Sequence, residues 1–204
     1  TRDDGESWTN VASRIPGAPA AGWAAHVEPS RHLPGRAYVV FDEHRRGDWT
    51  PYAFRTDDYG ETWSPVTDET IRGFVHVIEE DPVEPDLLFI GTEFGLWVSL
   101  DGGDAWMSWE HGMPPAPVRA LMVHPRDHDL VIGTHGRAAW ILDDVRPLRA
   151  LATDPGLAGS FLAVLPLAPA QQHQVAERIG YRSTGHAMQF GENRPYGALI
   201  HYWV

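Results

Sequence analysis

The sequence predicts an all-β fold, and three observations predict it. A polar turn followed by a tryptophan recurs: "TRDDGESWTNV" at 1–11, "RTDDYGETWSPV" at 55–66 and "VSLDGGDAWMSW" at 98–109. The text between the copies recurs as well, with a period in the forties. Finally, 20 Gly, 17 Pro and nine Trp in 204 residues suit short strands and many turns better than long helices. A period of this size marks a supersecondary repeat. Four short strands per repeat make that repeat a blade of a β-propeller.

The turns align by their aspartates: Thr1, Asp3, Gly5 and Trp8, then Thr56, Asp58, Gly60 and Trp63, then Ser99, Asp101, Gly103 and Trp106. The pattern is [Ser/Thr]-x-Asp-x-Gly-x-x-Trp. The first two aspartates lie 55 residues apart and the next two 43. "HVIEEDPVEPDLLFIGTEFGLWVSLDGG" (76–103) matches "ALMVHPRDHDLVIGTHGRAAWILDD" (120–144), with Gly91-Thr92 returning as Gly133-Thr134 42 residues later. In the middle copy the strands read as "FVHVIEED", "LLFIGTEF", "LWVSLD" and "AWMSWE", with Pro, Gly and Asp between them.

The repeated turn joins the third strand of a blade (C) to the fourth (D). Its Asp carboxylate is expected to accept hydrogen bonds from the turn's own N–H groups, with the Ser or Thr hydroxyl adding another. Gly allows backbone angles that a side chain forbids. Trp is expected to pack back between blades, burying about 150–250 Å². None of this requires a substrate.

The last repeat has no such turn. "AAWILDDVRPLRAL" runs into Pro and an Arg/Leu stretch, so a fourth strand must come from elsewhere in a longer chain. A short helix is expected within "PLRALATDPG" and an extended strap within "VLPLAPAQQHQVAERIGYR". The expected organisation is about three four-stranded blades over 1–150, an irregular linker over 151–184, and the first strand of a truncated β-sandwich over 185–204. Thr1 is already inside a motif and "ALIHYWV" reads as a strand in progress, so the chain reads as a piece of a longer protein. Its first and last blades would expose strand edges, and such a piece is expected to fold poorly by itself.

Composition narrows the function. A formal charge of −12 repels phosphate backbones, which argues against nucleic acid as a partner. Without cysteine there is no disulfide, thiolate metal site or cysteine nucleophile. The longest apolar run, "GLAGSFLAVLPLAP", is too short to span a membrane and holds two prolines. There is no Gly-x-Ser-x-Gly elbow and no phosphate-binding glycine loop. No cofactor is implied.

The repeated turn resembles the Asp-box, or bacterial neuraminidase repeat, of sialidases, xyloglucan-cleaving hydrolases, photosystem-assembly propellers and sortilin-type propellers. The longer strings "FDEHRRGDWTPYAFRTDDYGETW", "LLFIGTEFGLWVSLDGG" and "GENRPYGALIHYW" look like large secreted bacterial proteins with a sortilin-like propeller. The third box departs from the pattern, with Ala105 where Thr is usual. The resemblance implies an extracellular or periplasmic location. It also implies that ligands use the face opposite the Asp-boxes, where the B–C turns lie.

Those turns are "FDEHRRGDWTP", "TEFG" and "THGR". They make His44, Arg45, Glu93, His135 and Arg137 candidate ligand-binding residues, and Asp42, Glu43 and Glu93 candidate acids or bases. The competing reading is that all are solvated turn residues with structural hydrogen bonds. Calcium at "DDGE", "DDYGE" or "DGGD" lacks the fuller ligand spacing. His124 and His128 lie across Pro125 in a turn, so neither pattern predicts a metal site. The first functional expectation is a secreted binding module for a glycan or a peptide. The alternatives are a glycoside hydrolase using paired carboxylates and a scaffold for missing blades and domains of a parent chain.

Overall fold

The computed structural model describes residues 1, 3–167, 169–170 and 197–204. It divides into two units, Thr1–Pro155 and Gly156–Val204.

The first unit holds three antiparallel sheets in succession, the architecture of a partial β-propeller. The first sheet comprises β1 (Ala24–Pro29), β2 (Ala37–Phe41), β3 (Tyr52–Thr56) and β4 (Ser64–Pro65). The second comprises β5 (Val75–Glu80), β6 (Leu88–Thr92), β7 (Gly95–Ser99) and β8 (Met107–Trp109). The third has β9 (Val118–Val123), β10 (Leu130–Thr134) and β11 (Ala139–Leu142). Strand order follows chain order within each sheet. Two of the sheets have four strands and the last has three, as expected of a closing repeat that lacks the turn into a fourth strand. The third is short because no turn of the repeated type follows β11; the chain instead enters α1 (Arg146–Thr153), with Pro147 in its first turn.

Packing between sheets explains the strand sequences. Every residue of β5 and β6 is buried. A sheet covered on both faces needs near-continuous apolar runs rather than alternation. On one side Ile78, Leu88 and Ile90 meet Tyr38, Val40 and Ala53 of the first sheet. On the other, Val77, Phe89, Leu96 and Val98 meet Val118, Leu121, Leu130 and Ile132 of the third. Gly91 marks the tightest approach: a Cβ there would lie 2.6 Å from Val118 Cγ1 and 2.7 Å from its carbonyl oxygen. In β9, by contrast, only alternate residues of the Leu121–Val123 stretch are buried, and Met122 and Ile141 are exposed.

The repeated turn has the predicted hydrogen bonds in all three copies. The N–H groups of Ser7, Thr62 and Ala105 donate to the carboxylates of Asp3, Asp58 and Asp101 at 2.9, 2.8 and 2.9 Å. The N–H groups of Gly5, Gly60 and Gly103 donate to the hydroxyls of Thr1, Thr56 and Ser99. Those glycines have φ of 95°, 84° and 97°, the left-handed region. Donation by Ser7 and Thr62, through hydroxyl and backbone, holds the Asp3 and Asp58 carboxyls down at about 2.

The tryptophans diverge. Trp106 is 6% exposed and its indole N–H donates to Val66 C=O of the preceding blade at 2.7 Å. Trp63 is half-buried against Ile15, Val39, Phe41 and Phe54. Trp8 is 78% exposed. The expectation of interblade packing thus holds for Trp106 and holds in part for Trp63, while Trp8 lies ahead of the first sheet. An indole is buried only where a preceding sheet supplies its far wall.

Three consecutive acids close β5. Glu80 accepts from Tyr38 Oη at 2.9 Å and from the Arg31 N–H. Asp81 takes a two-pronged bond from Arg149 of α1 at 2.8 and 2.9 Å. Among the described residues Glu79 accepts only the Val123 N–H, and burial pushes its carboxyl up from an ordinary 4.5 to about 7.

In the second unit β12 (Ala163–Val164) pairs antiparallel with β13 (Tyr202–Trp203). The extended strap expected within 164–182 and the beginning of "GENRPYGALIHYW" lie mostly outside the described residues.

Candidate functional site

The three sheets share one irregularity. In β1–β2, Ala24 faces Phe41 and His26 faces Val40, leaving Ala25 as an extra residue. In β5–β6, Val75 faces Thr92 and Val77 faces Gly91, leaving His76. In β9–β10, Val118 faces Thr134 and Ala120 faces Gly133, leaving Arg119. Each first strand bulges at its second residue. A bulge leaves one residue out of the ladder and re-aims its side chain. Ala25, His76 and Arg119 all line one cavity of about 420 Å³, within the size range of small-ligand pockets.

A second repeated contact builds the rim. The first residue after the second strand donates its N–H to the residue just ahead of the first strand. These bonds run from Asp42 to Trp23 C=O at 3.0 Å, from Glu93 to Phe74 C=O at 3.2 Å and from His135 to Pro117 C=O at 2.8 Å. Asp42, Glu93 and His135 are therefore equivalent positions of successive blades. Trp23, Asp42, Glu43, His44, Arg45 and Arg46 complete the cavity wall.

The wall carries a connected polar network. Asp42 Oδ1 pairs with His44 Nδ1, and Asp42 Oδ2 lies 3.4 Å from His76 Nδ1 and 4.0 Å from Arg119 Nη1. His76 is buried. Its Nδ1 accepts from Arg119 Nη1 at 3.2 Å, and its Nε2 lies 3.3 Å from Glu93 Oε2. Accepting at Nδ1 puts the proton of a neutral ring on Nε2, toward Glu93. Burial and then the Arg119 charge lower the His76 pKa against the opposing pull of Glu93, which favours that neutral ring. Aromatic contacts fix the neighbourhood: His44 stacks on Phe74 at 4.6 Å between centroids, and Trp49 and His76 meet the same ring edge-on.

The residues read from the sequence sort into three groups. Asp42, His44 and Arg45 line the cavity, and Glu43 lines it from a buried position. Glu93 reaches the network through His76 without forming part of the wall. His135 and Arg137 are exposed and lie apart from the cavity lining. Glu43 is structural in its contacts: one oxygen accepts the Trp23 N–H at 2.6 Å and the other pairs with Arg46 at 2.9 Å. Both Trp23 backbone groups are thereby pinned, N–H by Glu43 and C=O by Asp42, while the residue stays 72% exposed.

His76, Arg119 and Trp23 were not among the predicted residues. The signal that finds them is register within the repeat. His76 and Arg119 each follow a buried Val at the second position of a blade's first strand, where apolar residues otherwise prevail. Among the described residues no group of three or more His, Asp or Glu side chains is arranged to hold a metal ion. No helix among them is long and apolar enough to cross a membrane.

No protein-family model matches the chain, and no curated protein matches it. Solved structures do. An ancestral GH74 enzyme aligns at 12% identity over 60% of this chain and 18% of its own, with a TM-score of 0.46. The GH74 xyloglucanase from Xanthomonas campestris aligns at 17% identity over 55% and 20%, with a TM-score of 0.41. YCF48 bound to D1 peptide aligns at 15% identity over 71% and 57%, with a TM-score of 0.33. The chain thus spans about a fifth of the two GH74 enzymes and under two thirds of YCF48.

Proposed function

We propose that this chain is the ligand-binding part of a β-propeller module, with its site on the face of the B–C turns. One observation carries the reading: three successive sheets bulge at the same position and aim Ala25, His76 and Arg119 into one cavity. A bulge breaks a ladder hydrogen bond, and three in register at one open cavity fit a binding surface better than three separate accidents. We further propose that the repeated turn is an Asp-box and that the module is sortilin-like and exported. The residue pattern and its hydrogen bonds support that reading.

The hydrolase reading has less support. Paired carboxylates must face one another across a cleft about 5–9.5 Å wide with the scissile bond between them. Here the His76 ring fills the space between Asp42 and Glu93, and both Glu43 oxygens are occupied. The test is a glycan and peptide array probed with the intact protein, with His76→Ala beside Arg126→Ala, a variant of an exposed residue in the β9–β10 turn on the opposite face. Binding lost only in His76→Ala supports the site. Release of reducing ends from any arrayed glycan, abolished by Asp42→Asn, would replace it with a hydrolase.

A further inference from the structure

We infer that the cavity selects an acidic glycan, one whose sugar rings carry carboxylates. The inference rests on the binding-module reading above and names its ligand class.

Charge is the first argument. The chain as a whole carries −12, yet the charge a ligand meets in this cavity is positive. The Asp42 and Glu43 side chains are 8% and 4% exposed. Asp42 is engaged by His44, and Glu43 by Arg46 and the Trp23 N–H. The accessible groups are guanidiniums. Arg45 is exposed on the wall and makes no ion pair among the described residues. The Arg119 side chain is 44% exposed; its Nη1 donates to His76 and lies 4.0 Å from Asp42 Oδ2, and among the described residues no hydrogen bond occupies its Nε or Nη2 donors. A planar guanidinium with free donors matches a carboxylate in two-pronged geometry.

Shape is the second argument. Trp23 presents an exposed indole on the same wall, on a backbone fixed from both sides. A flat apolar platform held in place loses little freedom when a ligand stacks on it. A uronate ring offers an apolar C–H face for the indole and a carboxylate on its edge for Arg45 or Arg119. An acidic peptide supplies the charge without the rigid flat face.

Isothermal titration calorimetry of the intact protein with trigalacturonate tests the inference, beside neutral cellotriose and a hexaglutamate peptide. Trigalacturonate is expected to bind, to weaken as sodium chloride rises, and to lose tenfold or more in affinity with Arg119→Met and with Arg45→Ala. Arg45 is exposed, so its variant keeps the fold. Arg126→Ala should stay within twofold of the parent. Equal binding of cellotriose, or binding of hexaglutamate alone with the same sensitivity to Arg119→Met, overturns the acidic-glycan assignment and leaves the binding module standing. Trigalacturonate binding untouched by both arginine variants overturns this cavity as its site. No binding of any of the three overturns the acidic-glycan assignment, and the array above then decides the binding module separately.

Discussion

Arg119 and His76 hold the same bulged position in neighbouring sheets, and the guanidinium of Arg119 donates to Nδ1 of His76 at 3.2 Å. The repeat places two successive first-strand residues side by side at the cavity, where one acts as the hydrogen-bond support of the other. Arg119 is thus oriented by a neutral imidazole, with the Asp42 carboxylate 4.0 Å from the same nitrogen.

Removing that guanidinium should change the ring. After burial, the Arg119 charge is the largest cause lowering the His76 pKa. In Arg119→Met the His76 pKa should rise, read from the imidazole Cε1 proton in an NMR pH titration. An unchanged titration would mean the two groups do not meet in solution. The sign for stability follows. A histidine whose folded pKa is lowered favours the fold while neutral and loses that contribution as pH falls below its ordinary 6.5.

The three tryptophans of the repeated turn should differ sharply in cost. Trp106→Ala removes an indole from the core between two sheets and is expected to destabilise by about 3–5 kcal/mol. Trp8→Ala removes an exposed ring and should stay within about 0.5 kcal/mol. Chemical denaturation of the two variants checks this. Equal costs would refute the interblade account of Trp106.

Gly91 permits the approach of β9 to β6. Gly91→Ala forces a Cβ into the Val118 side chain and backbone, and overpacking of this kind is expected to cost about 1–3 kcal/mol. A paired Gly91→Ala, Val118→Ala variant should recover part of the side-chain component but not the clash with the carbonyl. The thermal midpoints of the single and double variants read the difference.

Glu79 should give the fold a pH dependence of unusual sign. Its folded pKa is raised, to about 7. Below about 4.5 it is protonated folded or unfolded and carries no penalty. As pH climbs from there through 7, the unfolded chain ionises first, so the contribution of Glu79 falls with rising pH. Glu79→Gln should flatten the thermal midpoint between pH 5 and 8. A variant with the parent's slope would assign the dependence elsewhere, with Glu28, also raised by burial, the next group to test.

Much of this was legible in the chain itself. The repeated turn, its hydrogen bonds and its left-handed glycines were readable because they are local: donors and acceptors lie within four residues of each other. The strands of the middle blade were readable because a sheet covered on both faces writes itself as unbroken apolar runs. The short helix expected within "PLRALATDPG" is there as α1, Arg146–Thr153.

Tertiary structure decided what those elements face. Trp8, Trp63 and Trp106 share one motif and have three different burials, because an indole's environment depends on the sheet beside it and not on its own turn. Glu43 looked like an acid for chemistry and is the clamp on Trp23, a contact made across 20 residues. His76 and Arg119 entered the site through bulges, and a bulge is a property of register between two strands, which neither strand carries alone. The sequence by itself determined the repeat, the strands and the turns. Only the packing of three sheets determined which side chains meet at the cavity, since each sheet supplies a different part of it.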